Sequence, residues 1–404
     1  MKHQRIAFSI AVVLAAALAP VAHAIDVAAG DWKLSFSGNV NAHYIYSNCE
    51  KTPSPVAGGL ACVSQTGDGS SSVSNGLLPA ALTINGATTQ SGYDIGFTFG
   101  LYPGISTNDG GSPNLQAAPL LHTALGTAGL DIRQVFLTFG NSTMGTVMAG
   151  RNIGLFAADA ILNDMTLLGV GNGNGNYAAP ANTSLGSIGL GYIYTDWLAQ
   201  INYTTPDLSG AKITIGIFDP LNTLGQSVPT SKNTPGVHGK IAYTAGPLYL
   251  SGSFLYQKQK NTVALGAGDY NSHVFDIGGR YDYEGWQFLA WYYNGTGVGT
   301  TGLFVLSDDG AGNARDSDGF LAQVTYKIGP TKLGVNYGQS KLKTASGEVA
   351  PTLVDSNDKV TGGIYHDLTA NLMLVGEFSY LESKNQRGDK NKSNNINVGA
   401  FLKF

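Results

Sequence analysis

Hydrophobicity along this chain repeats every two residues, and that period limits the fold more than any other feature. From Trp32, the residues Trp32, Leu34, Phe36, Val40, Ala42 and Tyr44 form one face, and Lys33, Ser35, Ser37, Asn39, Asn41 and His43 form the other. Successive side chains of a strand point to opposite faces, so this strand has one apolar and one polar face. The same period returns at Tyr93, Ile95, Phe97 and Phe99 against Asp94, Gly96, Thr98 and Gly100. It recurs at Phe320, Ala322, Val324, Tyr326 and Ile328 against Leu321, Gln323, Thr325 and Lys327. The last strand sets Ile396, Val398, Ala400, Leu402 and Phe404 against Asn397, Gly399, Phe401 and Lys403. Lysine and asparagine on the second face would be costly in a dry sandwich core. They can line water while the apolar face meets lipid.

The first 24 residues do not share this pattern. Lys2 and Arg5 precede an apolar run, Ile6 to Ala19, that is shorter than the roughly 20 residues a spanning helix needs. Pro20 and then Ala22-His23-Ala24 follow, with small residues at the −3 and −1 positions of a cut. This predicts a secretory signal peptide over 1–24 and a single exported domain over 25–404. No apolar run of about 18 or more occurs after it, which excludes transmembrane helices. Charged residues make up only 12% of the chain and glycine is abundant at 55. A soluble domain averages about 25% charged residues and about 7% glycine. Removing Lys2 and Arg5 takes the net charge from −4 to −6, so no nucleic-acid partner is expected.

The links between strands sort by length. Strand candidates fall at 32–46, 79–86, 92–102, 131–140, 145–151, 197–205, 211–219, 236–245, 247–260, 272–283, 286–295, 318–328, 332–340, 359–367, 372–383 and 394–404. Short links carry turn chemistry at Asn85-Gly86, Asn141-Ser142, Pro206 to Gly210, Gly246-Pro247, Glu284-Gly285, Gly329-Pro330 and Ala370-Asn371. Long links, rich in Gly, Asn, Ser and Asp, fall at 47–78, 103–130, 152–196, 220–235, 261–271, 296–317, 341–358 and 384–393. Tight turns at one end and long polar loops at the other describe a closed transmembrane β-barrel of 16 antiparallel strands, with the turns periplasmic and the loops extracellular. Closure also satisfies every backbone group in lipid, which an open sheet cannot do.

Several segments resemble the Gram-negative general porins. Asp131-Ile-Arg-Gln-Val-Phe-Leu-Thr-Phe-Gly140 followed by Gly145-Thr-Val-Met-Ala-Gly-Arg-Asn-Ile-Gly154 is similar to their fourth and fifth strands. Asn202-Tyr-Thr-Thr-Pro-Asp-Leu-Ser-Gly210 looks like the turn after their third loop, and Phe404 matches the C-terminal aromatic shown to the barrel assembly machinery. The resemblance spans essentially the whole exported chain. It implies an outer-membrane channel for passive diffusion of small hydrophilic solutes and ions, a homotrimer, and contact with outer-membrane lipid and lipopolysaccharide. The third loop departs from the family pattern, because it lacks a compact acidic turn and ends in the neutral Gly-Asn repeat of 171–176. The shape of the constriction is therefore left open.

Enzymatic motifs are absent: there is no Gly-x-Ser-x-Gly, His-Glu-x-x-His or Cys-x-x-Cys. Gly297-x-Gly299-x-x-Gly302 matches a dinucleotide pattern but has no helix pattern after it. Asp308-Asp309 and Asp316/Asp318 could hold a divalent cation, though a solvated acidic loop is the simpler reading. No cofactor is expected. Cys49 and Cys62 share the first long loop, and export to an oxidising compartment favours a disulfide between them. Two alternatives to a general pore remain, a channel selective for one anion or small solute and an adhesin-like interaction barrel.

The third loop contains an apolar, helix-compatible stretch, Leu155 to Leu162, which would be wasted in the external medium. It is expected to fold into the lumen, with Asp159 and Asp164 as the acidic side of a constriction. Arg133 and Arg151, either side of the Asn141-Ser142 turn, are expected as cross-strand neighbours on the basic side. Lys33, Asn39, Asn41, His238, Lys240, Asp276, Arg280, Lys327 and Lys332 are expected to line the pore. Basic residues gather near the turn end and acidic ones in the loops. The loop acids lie where salt screens them beyond about 8 Å, so a weak preference for anions is expected.

Overall fold

A computed structural model describes residues 25–63, 68–105, 130–173, 183–223, 233–260 and 268–404. The signal peptide over 1–24 and part of the Gly-Asn repeat lie outside these residues. Among them, eighteen antiparallel strands form one sheet. Sixteen make the wall: β2 (Trp32–Glu50), β4 (Ala81–Gln90), β5 (Tyr93–Pro103), β6 (Leu130–Asn141), β7 (Gly145–Ile153), β8 (Trp197–Thr204), β9 (Ala211–Phe218), β10 (Gly236–Ala245), β11 (Leu248–Gln259), β12 (Tyr270–Tyr283), β13 (Trp286–Thr296), β14 (Asp316–Ile328), β15 (Thr331–Leu342), β16 (Val354–Asp367), β17 (Leu372–Asn385) and β18 (Lys390–Lys403). Each pairs with the next, and β18 returns to β2, with Val40 opposite Leu402, to close the barrel. Two short strands extend it: β1 (Ile25–Ala29) pairs with Trp32–Phe36 at the turn end, and β3 (Gly69–Ser74) pairs with His43–Asn48 at the loop end.

The two-residue period decides which face each residue takes. On β13, Trp286, Phe288 and Tyr292 stand outward and exposed, while Leu289, Trp291 and Tyr293 between them are buried inside. Phe404 carries the last strand one step further: its N–H and C=O pair with Gly38 at 3.0 and 2.9 Å, so its ring lies on the outward face.

Three features depart from the sequence reading. Asn85-Gly86 is not a turn but the middle of β4, and the hairpin closes instead at Ser91-Gly92, both with positive φ (51° and 82°) as a two-residue turn requires. Asn85 accepts from Thr98 Oγ1 across the hairpin at 2.8 Å. Gly86 makes room for a ring, since a Cβ there would meet Phe97 Cε1 at 2.1 Å. The link at 384–393 is no long loop, because β17 and β18 run on until the side chain of Asn385 caps the turn by accepting from the N–H groups of Arg387 and Asp389. A β-bulge in β6 sets Gly100 against Gln134 and Leu101 against Ile132, leaving Arg133 as the extra residue. One inserted residue reverses the facing of everything beyond it. Arg133 and Gln134 therefore both point inward, while Val135 points out.

Candidate functional site

Between β7 and β8 the chain turns into the barrel. Gly154 N–H donates to Asp196 O at 2.9 Å and closes the base of the loop. A short helix, α1 (Ala158–Asn163), and a 3-10 turn (Met165–Leu168) follow, within and just beyond the stretch expected to enter the lumen. The loop's apolar side packs on inward residues from the outer half of the wall. Ala158, Ala160 and Ile161 meet Leu289, Trp291 and Leu321; Phe156 and Ala157 meet Leu255, Val274 and Tyr293. Each large side chain so buried stabilises by about 1.5–3 kcal/mol, so the loop is held as a core is held.

Polar groups fix its position. Asp159 accepts from Lys240 Nζ at 3.0 Å, Tyr249 OH at 2.8 Å and Ser251 Oγ at 2.6 Å. Burial alone would raise its pKa, but Lys240 and the two hydroxyls outweigh it and hold the carboxyl below its ordinary range. Asp164 caps the 3-10 turn through Thr166 N–H (2.9 Å) and accepts from Tyr192 OH (2.9 Å) and Ser187 N–H (3.2 Å). Burial and this carboxylate together push the Tyr192 phenol well up. Gln323 of β14 accepts from Met165 N–H at 2.6 Å. Further round, Lys359 of β16 donates to Gly186 O and Ser187 Oγ at 2.8 and 2.7 Å. Glu377 of β17 accepts from Val170 and Gly171 N–H, both at 2.8 Å, and from Tyr365 OH at 2.6 Å. The loop then reaches the segment after β3, where Leu77 and Leu78 donate to Gly169 and Leu167.

Asp159 and Asp164 are thus in the lumen but turned to the wall, 6% and 4% exposed. They fasten the loop and do not stand bare to the channel. Arg133 and Arg151 are not neighbours on one face. Arg133 is buried, bound through Nε to Asp131 at 2.9 Å, and its guanidinium lies 4.9 Å from the Tyr102 ring and 5.6 Å from the Trp197 ring. Arg151 pairs in register with Val135 and Ala199 on the outward face, in step with Val147 and Ala149 along β7, and it is Arg133 that the bulge turns inward. Its charge acts instead on Asp196 in the loop, whose carboxyl burial raises.

The residues expected to line the pore divide into two groups. Asn39, Asn41, His238 and Asp276 face inward but are buried. Asn41 Nδ2 donates to Asn39 Oδ1 and Leu78 O, and Asp276 accepts from Ser253 Oγ at 2.5 Å and Trp291 Nε1 at 3.1 Å. Towards the turn end the wall is open. Arg280 binds Asp282 through Nε at 3.0 Å and Asn163 of the loop through Nη1 at 2.8 Å, yet stays 27% exposed. Lys327 on β14 and Lys332 on β15 are register partners further towards the turn end, Lys332 over the Tyr365 ring at 4.6 Å. Lys240 is spent on Asp159, and Lys33 sits at the rim, 2.9 Å from Asp26. Sequence reasoning missed Lys359, Gln323, Tyr249 and Glu377 as loop anchors. Their inward parity was readable, but their loop partners lie far along the chain.

The outer loops close down on the same side. Val298, Leu303 and Phe304 of the loop after β13 enter the apolar cluster with Phe156, and Arg315 ties its base to Glu348, whose carboxyl that pair holds below its ordinary range. Cys49 and Cys62 are joined by a disulfide. It holds a loop whose Leu60 N–H donates to Asn357 and Ser383 and whose Leu60 and Ala61 pack on Leu190 and Leu381. Among the described residues no group of three or more His, Cys, Asp or Glu comes together to hold a metal.

A family model described as Gram-negative porin matches residues 11–386. No curated protein matches the sequence. Solved structures share the fold. The outer membrane channel DcaP of Acinetobacter baumannii superposes with a TM-score of 0.68 at 13% identity, covering 93% of this chain and 99% of that one. An anion-selective porin from Comamonas acidovorans gives 0.63 at 15%, covering 92% and 100%. OmpF of Salmonella typhi gives 0.60 at 14%, covering 94% and 100%.

Proposed function

Because the chain belongs to the Gram-negative porin family and forms an outer-membrane channel for passive diffusion, we propose that its lumen passes small hydrophilic solutes with a weak preference for anions. One observation carries the reading: the acids of the third loop are consumed in docking it, while basic side chains keep partial exposure in the vestibule beneath. Asp159 is pinned to the wall by Lys240, and Asp164 is held by Thr166, Ser187 and Tyr192 within the loop and by Asn336 of β15, so ions on the path meet Arg280, Lys327 and Lys332 instead. Asp282 and Asp367 offset part of that field, which is why the preference is weak. Fixed charges along a confined lumen select by sign more than charges on wide outer loops do. The likeness to the anion-selective porin from Comamonas acidovorans agrees with the sign.

The apolar packing of the third loop and the loop after β13 favours a narrower conduit than an empty barrel, in line with a channel selective among small solutes. No catalytic role is proposed. Residues 1–24 act as the export signal, Phe404 as the assembly signal, and the mature barrel as a homotrimer in contact with lipid and lipopolysaccharide. The test is a planar bilayer under a tenfold KCl gradient. Discrete open-channel steps with a reversal potential of the anion-selective sign support the reading. Steps with the cation-selective sign defeat the preference, and the absence of steps defeats the channel.

A further inference from the structure

The third loop turns its carboxylates to the wall and leaves leucines partly in water. Asp159 and Asp164 are buried, whereas Leu155, Leu162 and Leu168 are only half-buried. Leu162 and Leu168 pack on the same buried cluster as Leu78, from the segment after β3, and Tyr194, from the returning limb of the loop. That cluster backs all four side chains without covering them. The loop is fastened to β10, β11, β14, β16 and β17, so it lies along the tall strands and its uncovered side meets the lumen that remains. A leucine left half in water forgoes much of the stabilisation that full burial gives. Contiguous apolar surface of this kind marks a place where something apolar is met.

The wall across the remaining lumen is built by β4 to β8. Asn85, Thr98, Phe136, Gly150 and Gln200 are successive register partners on these strands and share the inward face. Gly150 makes room for the ring, since a Cβ there would lie 2.8 Å from the Phe136 Cβ. Phe136 is half-buried, so a ring stands on the lumen face among amides. Gln134 Nε2 donates to Asn152 Oδ1 at 3.1 Å, and Asn202 Nδ2 donates to Gln200 Oε1 at 2.7 Å. Met148 lies between Thr138 and Asn202 in register. None of these side chains carries a charge. Charged groups stand elsewhere: Arg133 is bound to Asp131 near the loop end, and Arg280, Lys327 and Lys332 belong to the tall strands near the turn end.

We propose that the constriction favours uncharged and zwitterionic solutes that carry an apolar side. The apolar side slides along Leu155, Leu162 and Leu168, while the polar groups exchange hydrogen bonds with the amides opposite. Opposed charges across a pore hold water tightly, and an apolar group must then displace it at a cost. Water against leucine and phenylalanine is held weakly, so its displacement by an apolar group is a gain. Each methylene shielded in this way favours occupancy by up to about fourfold. Amides both donate and accept, so they serve an ammonium, a carboxylate or a hydroxyl alike. Contacts of this strength raise entry without trapping the solute, which is the condition for faster passage.

This inference rests on the channel reading and names a solute class for it, and its test separates the two. L-leucine and L-asparagine are nearly equal in size and both zwitterionic at pH 7, so neither sieving nor ion preference divides them. Dextran-loaded proteoliposomes are diluted into iso-osmotic solutions of each, and the swelling rate reports entry, with protein-free liposomes as background. The wild type is expected to admit leucine about twofold faster than asparagine, or more. The double variant Leu162→Asn with Leu168→Asn is expected to bring the ratio to one or below. The ratio within one preparation cancels the amount of protein inserted. If the loop variant fails to insert, Phe136→Gln on the opposite wall is expected to lower the ratio as well. A wild type that admits asparagine as fast as leucine, or variants that keep the wild-type ratio, overturn the apolar path while the swelling still attests the channel. Swelling in neither solute overturns both.

Discussion

The barrel has a tall side and a low side. Strands β11 to β18 hold 11 to 14 residues each, whereas β7, β8 and β9 hold only nine, eight and eight. At about 3.3 Å per residue and about 40° of tilt, eight residues rise about 20 Å and thirteen about 33 Å, against an outward apolar band of about 25 Å. The outward faces differ as well. The tall wall carries aromatic residues towards both ends, as in Trp286 and Tyr292 on β13 and Tyr326 and Phe320 on β14. The low wall is mostly aliphatic, with Ile201, Ile213, Ile215 and Ile217 beside a single ring, Tyr203 of β8, a groove of about 360 Å³ between Val147, Ile201, Ile215 and Val237, and the outward Arg151. A wall that spans the bilayer and ends in aromatic belts suits lipid. A wall too short to do so, with a guanidinium on its outer face, suits cover by a second copy, which is the physical content of the proposed homotrimer.

That contrast can be broken in order of expected effect. On the tall wall, Val324→Arg is expected to cost about 2–4 kcal/mol of barrel stability, while Thr98→Arg on the lumen face is expected to be mild. Urea titration of folding into liposomes measures both, and equal costs would contradict the assignment of faces. On the low wall, Ile215→Arg is expected to abolish the trimer on an unheated gel yet leave a folded monomer. A trimer that survives would show that this face meets lipid. Inside, Asp159→Asn weakens the acceptor of Lys240 and is expected to cost the docked loop about 1–3 kcal/mol, read as added open-channel noise at pH 7. Quiet traces would mean that the apolar contacts alone hold the loop.

The legibility of these features followed their range along the chain. The two-residue period placed Phe97, Val324 and Leu402 on the outward face because facing is a local property of a strand. The entry of the third loop was legible in Leu155 to Leu162, since an apolar stretch inside a long polar link needs cover. Asn85-Gly86 misled because the dipeptide favours a tight turn, and only the Phe97 ring across the hairpin shows why glycine sits there. The facing of Arg133 was illegible because the bulge at that residue reversed the parity of β6, whereas Arg151 kept the outward parity of β7. The destination of Asp159 depended on Lys240, Tyr249 and Ser251, more than 80 residues away. No local pattern marks a carboxylate that turns to the wall.

The central claim is that acids hold the third loop while bases meet the ions, and reversal potentials test it most directly. In a tenfold KCl gradient at pH 7, Arg280→Gln is expected to move the potential toward the cation-selective sign, because Arg280 is partly exposed in the vestibule. Asp164→Asn is expected to leave the sign and nearly the whole value unchanged, because its carboxylate is buried among Thr166, Ser187 and Tyr192. A larger shift from Asp164→Asn than from Arg280→Gln would contradict the account.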